Sequence, residues 1–147
     1  MTVRFVRGDL FRTSTQTLTN PINCHGVVGG GLALEYRRRF PGMFQDYVHR
    51  CRRGEVRIGG PYVGHSISGG PSVLNFPTKD DWTDPSRLEY VEQGLCYLVA
   101  HCQEMEITSL ALPALGCGLG GLTWSEIHPV MERELSQLDI PVEVFEP

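Results

Sequence analysis

The chain has 147 residues, of which 41% are hydrophobic and 20% charged, and its formal net charge is -4. These proportions exclude a disordered or fibrous chain, and no apolar run approaches the roughly 18 residues that a membrane span needs. The negative charge argues against non-specific binding to nucleic acid.

The first part of the chain predicts two strands followed by two helices. Val3–Arg7 is rich in β-branched and aromatic residues and predicts a strand, and Leu18–Asn20 predicts a short apolar strand that the next residue, a proline, ends. Leu32–Phe40 has helical character and stops before a proline. That residue, Pro41, suits the first turn of a second helix, which we expect to end near Arg53.

The middle of the chain predicts two strands and a long helix. Tyr62–Ile67 and Ser72–Phe76 are bounded by glycine and proline and predict strands. The helix that follows has apolar residues at helical spacing up to about Glu104. Asp84 or Ser86 is expected to cap its start.

The last part predicts a buried strand, a helix and a closing strand. Ile107–Leu112 is almost continuously apolar, as in strands covered on both faces by helices. A helix is expected from near Ser125 to near Leu138, followed by a strand in "PVEVFEP". Strands that alternate with helices predict an α/β three-layer sandwich, and the length predicts one domain over residues 1–147.

Two glycine-rich segments each follow a predicted strand and precede a helix. They are "NCHGVVGGGLA", with Gly29, Gly30 and Gly31, and "PALGCGLGG". Ligands of α/β sheets bind beyond the carboxyl ends of strands, and bare backbone N–H groups at a helix start favour anions. The pair predicts a site for two linked phosphates, with ordinary tight turns as the alternative.

Lys79, in "NFPTKDDW", is the only lysine among the 13 lysine and arginine residues. An arginine side chain keeps its proton at ordinary pH, whereas a lysine can lose it in a suitable pocket and act as a nucleophile. A single lysine left by chance in an arginine-rich chain is the alternative. Composition alone leaves both interpretations open.

Five cysteines, an odd number, are scattered without a C-x-x-C pair. With charged residues in the first ten positions, this pattern favours a cytoplasmic protein over an exported one. No cysteine or histidine spacing is typical of a metal site, so we expect neither metal nor cofactor. An adjacent pair, Cys24 and His25, could suggest thiol catalysis, but neighbouring side chains seldom point at each other.

Four segments taken in order resemble a macrodomain: "VRGDLF", "TNPIN" leading into "GVVGGGLA", "LNFPTK" with "SRLEYVEQGL", and "LPALGCGLGGLTW". Within that family the chain is most similar to the branch with terminal ADP-ribose protein glycohydrolases and bacterial DNA ADP-ribosyl glycohydrolase antitoxins. The resemblance implies a mixed central sheet between helices and ADP-ribose as the ligand. It also implies that Lys79 attacks the anomeric carbon of the distal ribose.

The resemblance assigns the remaining parts of ADP-ribose to residues of this chain. Asp9, Leu10 and Phe145 would contact adenine, and Asn23 would lie near the distal ribose. The other implied ligand-binding residues are Asn20, Thr78, Gly29, Gly30, Gly31, Leu32, Ala33, Leu115, Gly116, Cys117, Gly118, Leu119 and Gly120, most of them around the pyrophosphate.

One difference from the family bears on the acceptor group from which the enzyme would release ADP-ribose. Relatives acting on modified glutamate carry an aspartate where this chain has Gly120. We expect hydrolysis of mono-ADP-ribose from acidic side chains of proteins, with removal from a DNA base (thymidine) as one alternative and a non-catalytic reader as another. The expected partners are ADP-ribose and ADP-ribosylated protein, or in the alternative ADP-ribosylated DNA, bound by a monomer without membrane contact.

Overall fold

The computed structural model describes residues 3–64 and 70–147. Within them lies a six-stranded sheet of order β1-β6-β5-β2-β4-β3. The strands are β1 (Val3–Val6), β2 (Thr17–Asn23), β3 (Tyr62–Gly64), β4 (Ser72–Lys79), β5 (Leu110–Pro113) and β6 (Val142–Phe145). The α-helices are α1 (Gly31–Arg39), α2 (Pro41–Arg52), α3 (Leu88–His101) and α4 (Trp124–Leu135), and 3₁₀ turns span Leu10–Arg12 and Gly118–Gly120.

The sheet is covered by helices on both faces. Side chains alternate along β4, so Val73 packs in a cluster with Tyr36 of α1 and Met43 of α2. Its neighbour Leu74 packs with the residues of α3 and α4, such as Leu95. This arrangement confirms the predicted three-layer α/β sandwich.

All neighbouring strands run parallel except β3, which is antiparallel to β4 at one edge. The sheet is therefore mixed, as the resemblance implied. None of the helices in the described part of the chain combines the length and apolarity needed to cross a bilayer.

Two strands continue through prolines that were expected to end them. β2 passes Pro21 to reach Asn23, and β4 passes Pro77 to reach Lys79. Each proline has a neighbouring strand on one side only, because β5 pairs with β2 only near its start and β3 pairs with β4 no further than Asn75. A proline has no N–H to donate, and the missing hydrogen bond costs a strand little where no neighbouring strand would have accepted it.

Other boundaries also differ from the sequence-based expectation. The residue before α3 is Arg87, which makes no side-chain cap, so the expected cap at Asp84 or Ser86 was wrong. The Ser86 N–H instead donates to the Gly120 carbonyl at 2.9 Å. β5 begins three residues late because the Thr108 N–H bonds the Gln16 side chain rather than a neighbouring strand.

The predicted strand Tyr62–Ile67 is described only as far as Gly64, and its last three residues lie outside the described part. The ends of the remaining predicted helices and strands agree with the structure to within a few residues.

Gly94 should be required for packing α3 against β4. A β-carbon at this position would collide with the ring of Phe76, which is fully buried. We expect Gly94→Val to lower the free energy of unfolding by about 2–3 kcal/mol because the ring cannot move without strain. Urea denaturation would measure this, with Cys96→Val on the exposed side of the same helix as control. Equal midpoints for the two variants would contradict the packing described.

Candidate functional site

A cleft of about 990 Å³ opens at the carboxyl ends of β2, β4 and β5. It lies where β2 and β5 part, since these strands pair only through Thr17 and Leu18 of β2. The connection after β2 runs to α1 on one face, and the loop after β5 leads to α4 on the other. Such divergence produces the crevice in which α/β proteins bind ligands.

The segment from Asn23 to Gly30, here called the first loop, is held by the Asn23 side chain. Asn23 Oδ1 accepts from the His25 N–H at 2.9 Å, and Nδ2 donates to the Val27 carbonyl at 2.7 Å. The hydroxyl of Tyr47, on α2, donates to the Asn23 carbonyl at 2.7 Å and lies 2.9 Å from Oδ1. These contacts fix the loop before any ligand binds.

Gly29, Gly30, Gly31, Leu32 and Ala33, which the resemblance assigned to ligand binding, all line the cleft. They carry the chain into the first turn of α1, whose N–H groups have no partners within the helix. The local field of a helix start favours negative charge. This wall of the cleft is therefore suited to an anionic group such as a phosphate.

The segment Ala114–Gly121, here called the second loop, forms the opposite wall of the cleft. Its backbone depends on glycine at two points. Gly116 has φ +77°, and a β-carbon there would lie 2.6 Å from Leu122. A β-carbon at Gly120 would lie 2.5 Å from Ser86 Oγ, so this position has no room for a side chain unless Ser86 moves.

Lys79 lies at the end of β4 and lines the cleft. Its Nζ donates to the Leu119 carbonyl of the second loop at 3.1 Å. The pairing of β2 with β4 shifts between Ile22 and Asn23, which brings Asn23 opposite Lys79 rather than opposite Thr78. Such bulges re-aim side chains, and here the shift sets the amine beside the first loop and in contact with the second.

Other residues predicted from sequence lie in the cleft or just outside it. Thr78, Gly118 and Cys117 line it. Leu115 is fully buried in the core behind the second loop, and the buried side chain of Asn20 donates to Asn75 Oδ1 at 3.0 Å rather than facing the cleft.

The three residues predicted to contact adenine lie near the carboxyl ends of β1 and β6, outside the cleft lining. Leu10 and Phe145 pack in the same hydrophobic cluster. Asp9 caps the start of the 3₁₀ turn Leu10–Arg12, and its carboxylate accepts from the Phe11 N–H at 2.9 Å. The structure thus brings Leu10 and Phe145 together and gives the Asp9 side chain a local partner.

Sequence reasoning missed the loop between β4 and α3, which was treated only as a helix cap. Trp82, Thr83, Asp84, Pro85 and Ser86 all line the cleft. The hydroxyl of Ser86 is buried and has no hydrogen-bond partner. The feature of the sequence that could have pointed to this loop was a tryptophan three residues after the only lysine.

The two aspartates that follow Lys79 in the sequence, Asp80 and Asp81, contact other residues. Asp81 accepts from the Thr83 N–H at 3.1 Å, and this bond lowers the pKa of Asp81. Asp80 Oδ1 lies 3.7 Å from His25 Nε2. Neither lines the cleft, whereas Asp84 does. Within residues 3–64 and 70–147, no three His, Cys, Asp or Glu side chains cluster as metal ligands would.

A family model described as "Macro domain" matches residues 19–131. The DNA ADP-ribosyl glycohydrolase of Thermus aquaticus is 44% identical over 99% of this chain, which covers 41% of that protein. The human ADP-ribose glycohydrolase OARD1 is 26% identical over 97% of this chain and 90% of its own length.

A solved structure, Thermosipho africanus DarTG in complex with ADP-ribose, superimposes with a TM-score of 0.94 at 37% identity. The alignment covers 99% of this chain and 41% of that one. The present chain therefore spans about two fifths of the length of the DNA ADP-ribosyl glycohydrolases that it matches.

The Tyr47 hydroxyl should contribute to ligand affinity through the first loop. The ligand expected from the sequence resemblance is ADP-ribose. In Tyr47→Phe the Asn23 carbonyl loses its buried donor, and we expect that ligand to bind about 5- to 10-fold more weakly, since a lost buried hydrogen bond costs about 1–2 kcal/mol. Isothermal calorimetry would measure the affinity. Tyr97→Phe, on the exposed side of α3, is the matched control. Unchanged affinity in Tyr47→Phe would show that the loop does not need this anchor.

Cys24 should take no part in catalysis. Burial, with the Asp80 carboxylate adding to it, raises the pKa of Cys24 to about 12, so the thiol stays protonated and unreactive near pH 8. We expect iodoacetamide at about pH 8 to modify the exposed Cys96 and to leave Cys24 unmodified, as followed by peptide mass spectrometry. Alkylation of both thiols at similar rates would refute the assignment.

Proposed function

Because this chain belongs to the Macro domain family, we propose that it is an ADP-ribosyl glycohydrolase that releases mono-ADP-ribose from a modified DNA base. Lys79 is the proposed catalytic residue. The sequence alone had put acidic side chains of proteins first and the DNA base second. The order is reversed here because the relatives of 38–44% identity are named for DNA.

The observation that carries the proposal is the position of the Lys79 amine. It lies at the meeting point of the two loops, bonded to the Leu119 carbonyl, in a cleft of about 990 Å³. A surface lysine left by chance would not be expected to contact a loop 40 residues away in the sequence. A cleft of this size accommodates a ligand as large as a dinucleotide.

In the proposed complex, the pyrophosphate lies between the start of α1 and the second loop. Both walls offer backbone N–H groups without bulky side chains, at Gly30, Gly31 and Gly118. The distal ribose then lies near Asn23 and Lys79, which face each other at the ends of two paired strands. Adenine would extend toward the edge of the sheet that carries Asp9, Leu10 and Phe145.

The proposed reaction has two steps. The unprotonated Lys79 amine attacks C1″ of the distal ribose, the bond from C1″ to the base nitrogen breaks, and its electron pair leaves with the base. The base takes up the proton that the alkylated amine loses. Water then attacks C1″, the bond from C1″ to Nζ breaks, and Nζ takes up the proton that the water loses, so ADP-ribose leaves with a C1″ hydroxyl and the amine is restored.

The packing at Gly120 supports a DNA base as the acceptor. The resemblance connects hydrolysis of modified glutamate with an aspartate at this point of the second loop. Here Ser86 fills that space, with Oγ 2.5 Å from where a β-carbon would stand. The bond between the Ser86 N–H and the Gly120 carbonyl holds the two segments together, so the loop is built around a glycine.

A protein carboxylate is the second candidate acceptor. It is the acceptor that the sequence resemblance to the terminal ADP-ribose protein glycohydrolases put first. In that case the cleft and Lys79 act in the same way, and the leaving group is a carboxylate rather than a base.

Lys79 variants test the proposed activity. We expect Lys79→Ala and Lys79→Arg to release ADP-ribose from a modified single-stranded oligonucleotide at least roughly 1,000-fold more slowly than wild type, because neither supplies the amine lone pair. Chromatography of released ADP-ribose gives the rate. Calorimetry should show that Lys79→Arg still binds free ADP-ribose.

Two controls distinguish the candidate functions, which are release from a DNA base, release from a protein carboxylate, and binding without catalysis. A modified glutamate peptide assayed in parallel identifies the acceptor. Wild type that binds ADP-ribose but releases none from either substrate would be a reader, and the proposed activity would be wrong.

A further inference from the structure

Exposed hydrophobic side chains are concentrated at the mouth of the cleft. Four large hydrophobic residues of the described chain are exposed, and three of them line the cleft: Val27 (37% exposed), Trp82 (52%) and Leu119 (75%). They come from three different loops. The fourth, Tyr97, lies on α3 and stacks on His101, outside the cleft. Exposed apolar groups gathered at one place mark a contact surface.

The turn that carries Trp82 is braced so that the indole stays at the cleft mouth. The Asp84 N–H donates to the Asp81 carbonyl at 3.1 Å, which closes the turn around Trp82 and Thr83. Asp81 Oδ1 accepts from both the N–H and the hydroxyl of Thr83, at 3.1 and 3.2 Å. This bracing limits the entropy lost when a partner binds to the indole.

The three exposed side chains, here called the apolar rim, lie at the Lys79 end of the cleft. Trp82 follows Lys79 by three residues, and the Lys79 amine bonds the carbonyl of Leu119, itself a member of the rim. A group bonded to C1″ of the distal ribose would therefore emerge beside the rim. In the proposed reaction that group is the acceptor.

The charges around the rim indicate which part of a nucleic acid it would contact. Asp80 and Asp84 flank Trp82 in the sequence and are exposed, and Asp84 also lines the cleft, so their charge disfavours phosphate groups. An exposed indole in such surroundings is suited to a neutral base, since every base presents a face that stacks on aromatic rings. A base within a duplex cannot offer that face, so the strand must be single or the base flipped out.

We infer that the apolar rim is the acceptor subsite, in which the modified base of single-stranded DNA stacks on Trp82 while its glycosidic bond faces Lys79. The inference rests on the proposed function and names the groups that recognise its substrate. Trp82 orients the leaving base, and the ADP-ribose part of the substrate is held by the two loops.

The first test compares variants on an oligonucleotide with ADP-ribose on one thymidine. Trp82→Ala should lower kcat/KM by about 10- to 100-fold, the loss expected for one base–aromatic stack. Trp82→Phe should stay within about 3-fold of wild type, and Tyr97→Ala, the matched exposed aromatic, should equal it. All three should bind free ADP-ribose as wild type does.

Two results of this test would overturn the inference. One is Trp82→Ala turning over the oligonucleotide at the wild-type kcat/KM. The other is an equal loss of affinity for free ADP-ribose, which would assign Trp82 to the ADP-ribose site instead.

A second test reports binding without turnover. The chain has two tryptophans, and Trp124 packs against Phe5 and His128 away from the cleft. In a Lys79→Ala/Trp124→Phe protein the emission comes from Trp82 alone. The modified oligonucleotide should quench it more strongly than free ADP-ribose does, and equal quenching by both would refute stacking.

This second test also separates failure of the inference from failure of the proposed function. If wild type does not turn over the modified DNA but the modified oligonucleotide gives extra quenching, the acceptor subsite is supported and the proposed activity is refuted. If wild type turns over the modified DNA without extra quenching, the proposed activity is supported and the acceptor subsite is refuted.

Discussion

The parting of β2 from β5 is the constraint on which the functional architecture depends. The two strands pair only through Thr17 and Leu18 of β2, so they part before Pro21 is reached. The helices that follow these strands lie on opposite faces, so neither chain segment fills the space between them. The cleft therefore results from the parting of the two strands, and glycine-rich loops form its walls.

A chain of contacts then links the layers of the sandwich to the Lys79 amine. Tyr47 of α2 bonds Asn23, which stands opposite Lys79 in the sheet, and Lys79 bonds the carbonyl of Leu119. Burial raises the pKa of Tyr47, so its hydroxyl remains a donor over the whole working range of pH. Each member is anchored in a strand, a helix or a braced loop. An amine held in this way would need little rearrangement to act as the proposed nucleophile.

Local sequence patterns were sufficient to predict the layers and the two glycine-rich loops, because glycine and proline have direct structural consequences. Composition singled out Lys79, but its proposed role came from the resemblance to the family. Features that depend on distant partners could not be predicted. Strands crossing Pro21 and Pro77 require knowledge of which neighbours are missing, and the role of Ser86 depends on Gly120, which lies 34 residues later. Trp82 resembled any loop tryptophan until its exposure at the cleft mouth was visible.

In the proposed complex with modified DNA, contacts to the leaving base contribute to recognition of the acceptor. Two of the arginines on α1 and α2 are paired within their own helices, Arg39 with Glu35 at 2.9 Å and Arg50 with Asp46 at 2.8 Å. The carboxylate that lines the cleft, Asp84, repels a phosphate backbone. The net charge of -4 also argues against strong non-specific affinity for nucleic acid. In the proposed complex, selectivity therefore depends on the ADP-ribose group between the loops and on the surface that the leaving base meets beside Lys79.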